Sequence, residues 1–212
     1  MWLRTLGRAV LIEQIRSLLK FPWMYRLFWA FVGGRYRNTA LVNEYVRPEA
    51  GDHVLDIGCG PGSIIPYLPR VEYTGFDVSQ KYIEAAQASF GDRATFICER
   101  VSTYPLTRYS YFDVVLAIGV LHHLDDEEAS RLFHLAYAAL KPGGRLVTLD
   151  GCVLENQTRA ARFFVSRDRG QHMRTREGYL QIASPVFSNI TVSIRHDLLR
   201  IPYTLVILEC TR

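Results

Sequence analysis

The spacing of the apolar residues changes near residue 52 of this chain. Before that point they recur every three or four positions, which places them on one face of a helix. In the first predicted helix they are Leu3, Leu6, Val10, Leu11, Ile15, Leu18 and Leu19. Pro22 interrupts this helix, and two further helical patterns follow it, at 23–31 and 36–46. We therefore expect residues 1–50 to form a helical cover.

From residue 53 onward, short apolar runs alternate with helical patterns. Alternation of this kind is typical of a parallel sheet whose strands are connected by helices. The predicted strands are 53–57, 73–77, 95–98, 112–118 and 145–150. Ser79 is a suitable cap for a helix at 81–90, and Asp125 or Asp126 begins a helix that ends before Lys141.

The alternation breaks after residue 150. A polar, arginine-rich stretch and a short helix (175–183) precede two strand-like runs, 190–195 and 203–210, which predict a hairpin. The hairpin adds an antiparallel strand to the parallel sheet. The pattern thus predicts an α/β, Rossmann-like fold with a mostly parallel seven-stranded sheet in residues 51–212, and the cover forms part of the same domain.

Composition supports a single globular domain. The 212 residues are 49% hydrophobic and 22% charged, which excludes a disordered chain and a polytopic membrane protein. The four cysteines lie far apart without CxxC pairs, so we expect no zinc site, no disulfide framework and a reducing compartment. Glu13 and Arg16 make the N-terminus a poor signal peptide, which favours a cytoplasmic location.

The net charge of +4 is unevenly distributed. Residues 1–50 carry eight basic and three acidic residues, residues 51–150 eight and thirteen, and residues 151–212 nine and five. Basic flanks suit an anionic substrate, a nucleic acid or a membrane surface, although scattered solvated arginines give the same totals. The basic first helix has two interpretations: a lid over an acceptor pocket, or an anchor on the inner face of an anionic membrane.

The clearest motif is Val54-Leu55-Asp56-Ile57-Gly58-Cys59-Gly60-Pro61-Gly62, a buried strand that leads directly into glycines. Such a turn lets a nucleotide-type ligand approach the backbone. The dehydrogenase fingerprint would need glycine where Ser63 stands, which weakens a nicotinamide interpretation. Asp77 ends the next strand, where a carboxylate can accept hydrogen bonds from both ribose hydroxyls.

Over residues 52–150 the chain resembles the class I S-adenosylmethionine-dependent methyltransferases, in their small-molecule type 11/12 branch. Besides the glycine motif and Asp77, three stretches carry the resemblance: Cys98-Glu99-Arg100-Val101, Phe112 through Leu124, and Leu140 to Leu149. The resemblance implies S-adenosylmethionine as cofactor, S-adenosylhomocysteine as product, and the class I methyltransferase fold. It also implies these cofactor contacts: Asp56, Gly58, Gly60, Gly62, Asp77, Val78, Glu99, Arg100 and Ile118.

Some of these assignments have alternatives. The carboxylate of Asp56 can bind either the ligand or the amides of the glycine loop. Tyr36, with Arg35 or Arg37, is expected to close over the cofactor carboxylate. His122 is a candidate general base because it follows the fourth strand, beside the expected methyl group. The alternative is that it serves packing or backbone hydrogen bonding, as the same His-His-Leu run often does in relatives of differing chemistry.

The acceptor is expected to contact the basic region after the fifth strand, which is similar to some type 11 relatives associated with glycan or lipid pathways. The candidate residues are Arg169, His172, Arg174 and Tyr179, with structural ion pairs as the alternative for the arginines. The Asn/Asp-Pro-Pro-Tyr/Phe motif of nucleobase N-methyltransferases is absent, which argues against DNA. Asp150-Gly151 after the fifth strand argues against a catalytic metal.

The sequence thus predicts a methyltransferase that acts by in-line transfer on a small, anionic or lipid- or sugar-linked metabolite. RNA methylation is the alternative favoured by the basic flanks, although no RNA-binding module is recognisable. A noncatalytic S-adenosylmethionine-binding protein is the second alternative. Peripheral membrane contact depends on the first helix, and neither the acceptor atom nor the oligomeric state follows from the sequence.

Overall fold

The computed structural model describes residues 27, 30–100, 103, 106–165 and 170–212. The first predicted helix and most of the second lie outside these residues. Residues 30–32 are helical, and the chain turns at Gly33, whose φ of 98° is left-handed. Helix α1 (Gly34–Leu41) then runs into a π-helical turn (Val42–Val46), which together replace the predicted helix 36–46.

The sheet has the predicted topology. Its strands are β1 (His53–Ile57), β2 (Glu72–Asp77), β3 (Ala94–Cys98), β4 (Phe112–Ile118), β5 (Leu140–Val153), β6 (Arg174–Thr175), β7 (Asn189–Arg195) and β8 (Leu205–Thr211). Seven of them follow the order β3-β2-β1-β4-β5-β8-β7, and β6 pairs with β5 beside this path. Strands β1 to β5 are parallel, and β8 runs antiparallel to both of its neighbours. The mostly parallel sheet with an antiparallel C-terminal strand is confirmed.

Two helices begin at predicted caps, α2 (Gln80–Phe90) and α3 (Asp126–Ala139). Helix α5 (Arg176–Ala183) corresponds to the short helix predicted at 175–183, whereas α4 (Arg159–Val165) lies in the stretch for which no helix was predicted. The Ser79 hydroxyl accepts a hydrogen bond from the Tyr82 amide, and the Asp125 carboxylate accepts one from the Glu128 amide at 2.9 Å. These side chains satisfy amides that have no partner within the helix.

Each face of the sheet buries its own core, because successive side chains of a strand point to opposite faces. Val54 belongs to the cluster that α1, the π-helical turn and α2 cover, whereas Leu55 belongs to the cluster covered by α3 and α5. The part of the predicted cover formed by α1 and the π-helical turn therefore packs on the same core as the sheet. No helix in the described part of the chain is long and apolar enough to cross a membrane.

Candidate functional site

The loop after β1 exposes its backbone. Gly58 and Gly60 have φ values of 72° and 54°, which side chains rarely adopt. A Cβ at Gly58 would stand 2.5 Å from Cγ2 of Val120, so the loop lies directly against the chain that follows β4. A Cβ at Gly60 would meet no heavy atom within 4 Å. The backbone is therefore open at Gly60, where a ligand can approach it closely.

Asp77 holds this loop from the end of β2. Its carboxylate accepts hydrogen bonds from the amides of Gly60 at 3.0 Å and Ser79 at 2.8 Å. Burial raises the pKa of Asp77, and these two hydrogen bonds oppose the rise. Because each carboxylate oxygen can accept about two hydrogen bonds, one amide on each oxygen leaves capacity for a pair of ligand hydroxyls.

The other predicted cofactor residues lie along the same edge of the sheet. The Glu99 amide donates to the Asp77 carbonyl oxygen at 3.0 Å, which sets the end of β3 beside that of β2. The Glu99 carboxylate accepts from the Thr103 hydroxyl and the Arg100 amide, and these bonds lower its pKa. Val78, which follows β2, is 63% exposed. Ile118 ends β4 and is half-buried.

Asp56 is buried beneath the glycine loop. The Tyr73 hydroxyl donates to its Oδ2 at 2.5 Å, while its Oδ1 is buried and has no hydrogen-bond partner among the described residues. Burial raises the pKa of Asp56 to about 7, with the Tyr73 hydrogen bond opposing it. The loop amides, one of the two predicted partners of Asp56, are thus replaced by Tyr73, which the sequence analysis did not single out.

His122 lies in a 3₁₀ turn (Leu121–His123) that follows β4. Its Nδ1 is 2.7 Å from Oδ1 of Asp150, and its amide donates to the same oxygen at 3.2 Å. Asp150 is completely buried near the end of β5, and its Oδ2 has no hydrogen-bond partner among the described residues. Burial raises the pKa of Asp150, whereas the bonds from His122 oppose the rise. This pairing was not predicted from the sequence, although adjacent parallel strands bring their ends together.

The segment 170–172 lies against His122. The His172 amide donates to the His122 carbonyl oxygen at 3.0 Å. A Cβ on Gly170 would stand 2.1 Å from Cδ2 of the His122 ring, so no larger residue fits there without movement. The structure thus brings His172 beside His122, while Arg169 falls outside the described residues.

Two predicted acceptor residues bind the protein itself. The Arg174 guanidinium donates to the carbonyl oxygens of Leu121 and Leu124, each at 2.8 Å, and to the Asp126 carboxylate at 2.7 Å. The Tyr179 hydroxyl donates to the Gly151 carbonyl at 2.8 Å, and its side chain lies in the core. For Arg174 these contacts are the structural alternative, and the acceptor contacts of both residues stay predictions.

Helix α1 packs beside the glycine loop. The Asn38 amide group donates to the Ser63 carbonyl oxygen at 3.0 Å, and the buried Arg37 donates to Asn38 Oδ1 at 2.9 and 3.1 Å. A cavity of about 160 Å³ separates helix and loop, and both Arg35 and Arg37 line it. Tyr36 is 57% exposed and does not line this cavity, so the arginines and not the tyrosine face the loop here.

Comparison with known proteins adds to this picture. Residues 54–144 match the family model of a methyltransferase domain. An O-methyltransferase from Aspergillus sclerotiorum, resE, is 34% identical over 125 residues, which are 55% of this chain and 46% of that protein. The 27-O-demethylrifamycin SV methyltransferase of Amycolatopsis mediterranei is 37% identical over 109 residues, covering 48% of this chain and 39% of that protein. The matched region is therefore less than half of each relative.

Among solved structures, a phosphoethanolamine N-methyltransferase 2 from Haemonchus contortus, in complex with S-adenosylhomocysteine, shares the fold with a TM-score of 0.70. The alignment covers 85% of this chain and 53% of that chain at 19% identity, so it shows the fold alone. The family model, the two relatives and the shared sheet topology agree with one another. The chain is thus similar to the class I S-adenosylmethionine-dependent methyltransferases, and residues 54–144 are the part that matches their domain.

Proposed function

We propose that this protein binds S-adenosylmethionine at the carboxyl edge of its sheet and transfers the methyl group to a small-molecule acceptor. The observation that carries the proposal is the meeting of Asp77 with the open backbone at Gly60. A carboxylate with spare acceptor capacity and an unobstructed glycine loop suit the ribose and the methionine end of such a cofactor. The names of both relatives, which are methyltransferases, agree with this chemistry.

In this proposal, different residues of the chain contact different parts of the cofactor. Asp77 receives the ribose hydroxyls, and the glycine loop follows the methionine end. The exposed Val78 offers an apolar surface to the adenine ring, beside Glu99. Arg35 and Arg37, which line the cavity next to the loop, are placed to attract the carboxylate of the cofactor; in the proposal they take the role that was expected of Tyr36.

Positioning supplies most of the catalysis in this proposal. Bound S-adenosylmethionine supplies a methyl group on a positively charged sulfur, which is already activated for displacement. Holding an acceptor in line with that carbon contributes up to about 7–11 kcal/mol in favourable systems. The protein therefore needs a rigid edge and a shaped acceptor pocket above all.

The anionic or lipid- or sugar-linked character of the acceptor rests on the basic flanks of the chain. The first relative is an O-methyltransferase, and the second is named for a 27-O-demethyl compound. Both names favour an oxygen atom as the methyl acceptor. The first helix as a lid over this acceptor, or as a membrane anchor, stays a prediction.

The test is a thermal melt with S-adenosylmethionine, S-adenosylhomocysteine and NADH in parallel. Ligand at 100 times its dissociation constant adds about 2.7 kcal/mol to the free energy of unfolding, or about 5–10 °C for a chain of this size. We expect this shift with both adenosyl ligands. A shift with NADH alone, or with none of the three, would overturn the proposal.

Asp77→Asn tests the proposed ribose contact in the same thermal melt. Its control is Asp92→Asn, which makes the same change at an exposed carboxyl in the α2–β3 loop. We expect the first variant to lose the ligand-induced shift and the second to keep it. The melting temperature without ligand shows whether each variant folds. Equal ligand shifts in both variants would remove Asp77 from the proposed site.

A further inference from the structure

We propose that Asp56 releases its proton when an adenosyl ligand binds, so that binding of the cofactor is coupled to proton release. The inference rests on the proposed function and goes beyond it. The sequence predicts that the Asp56 carboxylate binds either the ligand or the loop amides, but it does not specify the protonation state of this group. In the structure, the hydrogen bonds of Asp56, the groups around it and its place beneath the glycine loop all bear on that state.

The hydrogen bonds of Asp56 are too few for an ionised carboxylate. The side chain is buried. Its Oδ2 accepts a hydrogen bond from the Tyr73 hydroxyl at 2.5 Å, and its Oδ1 has no hydrogen-bond partner among the described residues. The two oxygens of a carboxylate can accept about four hydrogen bonds, and a buried charge without such partners is costly. A proton on Oδ1 removes the charge, so this site favours the neutral acid in the absence of a ligand.

The groups that act on Asp56 also favour the neutral acid. Burial raises the pKa of Asp56 to about 7; the Tyr73 hydrogen bond opposes this rise, and the charge of Asp77 adds to it. The Cys59 thiol belongs to the same cluster, and burial together with the two aspartates raises its pKa as well. Because burial also raises the pKa of Tyr73, both Cys59 and Tyr73 stay neutral at physiological pH. Asp77 is therefore the charged neighbour.

The elements packed on this face of β1 supply no cation that shifts the pKa of Asp56, within the part of the chain that the structure describes. Strand β4 pairs with Asp56 through Leu116, which is buried and apolar. Helix α2 contributes the apolar Ile83 to the same core, and helix α1 carries Arg37, which donates to Asn38. We infer that a positive charge beside Asp56 comes from a ligand.

Asp56 lies where a ligand of the glycine loop can reach it, because β1 runs from Asp56 through Ile57 directly into Gly58. Asp77, whose charge acts on Asp56, also accepts a hydrogen bond from the Gly60 amide at 3.0 Å. A Cβ on Gly60 would meet no heavy atom within 4 Å. The two aspartates and the open backbone therefore belong to one site, and two carboxyl groups make that site attractive to a cation.

The adenosyl ligands carry a suitable cation, since both S-adenosylmethionine and S-adenosylhomocysteine have an ammonium group at the amino-acid end. In the proposed function, Arg35 and Arg37 attract the carboxylate of that end, which leaves the ammonium for the acidic side of the loop. A positive charge beside Oδ1 favours the ionised form of Asp56. The proton on Oδ1 then passes to the buffer, and the ammonium and the Asp56 carboxylate balance one another.

The opposite arrangement has a different outcome. With the carboxylate of the ligand beside Asp56, Oδ1 would donate its proton in a hydrogen bond and keep it. The two arrangements differ in the number of protons released for each ligand bound.

Calorimetry with S-adenosylhomocysteine measures this number. The full chain is titrated in two buffers of different ionisation enthalpy, phosphate and imidazole, and the difference between the observed enthalpies gives the protons released. We expect about 0.9 proton per ligand at pH 6, about 0.5 at pH 7 and about 0.1 at pH 8, because Asp56 without ligand ionises as pH rises through 7. The affinity should rise by up to about tenfold per pH unit below pH 7. Binding without proton release at pH 6 would overturn the proposal.

Asp56→Asn identifies the source of the proton, and Asp92→Asn, the same change at an exposed carboxyl, is its control. We expect the first variant to release no proton at pH 6 and the second to release as many as wild type. Release that persists in Asp56→Asn would contradict the proposal, because another group, such as Asp77, would then be the source.

Tyr73→Phe decides the question if Asp56→Asn does not fold or does not bind. It keeps the carboxyl and removes the hydrogen bond that lowers its pKa, so proton release should persist at pH 8, where that of wild type is nearly lost. Equal release in Tyr73→Phe and wild type at pH 8 would count against Asp56 as the source.

The same titrations separate this coupling from the proposed function. If the wild-type chain does not bind S-adenosylhomocysteine, the proposed function fails and the coupling fails with it. If the chain binds the ligand without exchanging a proton at pH 6, only the coupling fails and the proposed cofactor site stands.

Discussion

Asp56 shows how much a single buried carboxyl depends on its neighbours. Asp56 lies on β1, two residues after Val54. Tyr73 on β2 pairs with Val54, and its hydroxyl reaches Asp56 along the same face of the sheet. Both groups are buried. Because ionised Asp56 is poorly solvated there, its proton is retained to about pH 7, whereas in the unfolded chain the proton leaves near the ordinary value of 3.8. Between these values, the folded state binds more protons than the unfolded state.

This difference predicts a pH dependence of stability. Since the folded-state pKa is raised, the free energy of unfolding falls as pH rises from 3.8 to about 7 and then levels off. Asp56→Asn removes the titration. Relative to wild type, we expect the variant to gain up to about 1.4 kcal/mol for each pH unit within that window, measured by urea denaturation at several pH values.

Tyr73→Phe is the companion variant, because it removes the hydrogen bond that lowers the Asp56 pKa. Because the folded-state pKa of Asp56 is then raised further, the stability of the variant should keep falling to a higher pH than that of wild type. If wild type, Asp56→Asn and Tyr73→Phe all keep the same pH dependence, the buried proton is absent.

At the scale of single residues, the sequence predicted which residue types form the site better than it predicted their hydrogen-bond partners. The glycines and Asp77 were predicted because their chemistry is local to strand ends. The bonds from Tyr73 to Asp56 and from His122 to Asp150 join residues 17 and 28 positions apart. Such contacts depend on strand register, which periodicity does not specify.

Among the elements, the 3₁₀ turn after β4 depends on a residue from the following segment. Arg174, in β6, donates to the carbonyl oxygens of Leu121 and Leu124. The Leu121 carbonyl oxygen also accepts a hydrogen bond from the Leu124 amide at 3.2 Å, so Arg174 is its second donor. The arginine therefore ties the turn to the insertion after β5.

Arg174→Ala should accordingly lower stability. We expect the free energy of unfolding to fall by about 1–3 kcal/mol, because the Leu124 carbonyl oxygen loses the Arg174 hydrogen bond and the Leu121 carbonyl oxygen keeps only that of the Leu124 amide. Arg176→Ala is the control: its exposed pair with Glu177 contributes about 0–1 kcal/mol. Urea denaturation measures both. Unchanged stability in Arg174→Ala, together with a raised KM for an acceptor, would restore the predicted acceptor contact.

Helix starts were predictable because caps are local: Ser79, Asp125 and Thr175 each accept a hydrogen bond from the first turn of a helix. Strand β6 was not predictable, because two residues are too few to show a period. They form a strand only by pairing with Cys152 and Val153. Strand β5 is longer than predicted, because the turn residues Lys141 to Gly144 are included in its pairing region.

Across the whole molecule, the two ends of the parallel strands carry different groups of residues. The carboxyl edge carries the candidate site. At the opposite edge, the Asp113 carboxylate accepts bonds from the Lys141 ammonium at 2.7 Å and the His53 amide at 2.9 Å, which ties the starts of β1, β4 and β5 together. Burial opposes ionisation of Asp113, but these bonds outweigh it and lower its pKa.

Asp113→Asn should therefore separate stability from binding. Because the folded-state pKa is lowered, the carboxylate stabilises the fold above its ordinary pKa, and this contribution is lost as pH falls through the folded value. We expect the variant to lose about 1–2 kcal/mol at pH 7, and the difference from wild type to shrink in acid. Its affinity for S-adenosylhomocysteine, measured by calorimetry, should not change; a weakened affinity would show that the two edges are coupled.

The parallel sheet was predictable for the molecule as a whole because alternating strands and helices leave few other topologies. The contacts of the residues expected to bind the acceptor were not predictable in this way. Arg174 and Tyr179 have the polar groups expected of a binding site, but tertiary contacts direct them to carbonyl oxygens. A sequence pattern records which donors are present and not which acceptors the fold brings to them.

The two-residue pairing of β6 with β5 has a consequence for how the acceptor side can change. Cys152 pairs with Arg174 and Val153 with Thr175, so the chain leaves the sheet after Val153 and returns at Arg174, at neighbouring positions. A segment closed at its base in this way can be exchanged as a unit. Doubling its length costs only about 0.6 kcal/mol in closure entropy. Provided that the exchanged segment keeps a glycine beside His122, we expect that new acceptor preferences can be introduced here while the strands of the proposed cofactor site stay in place.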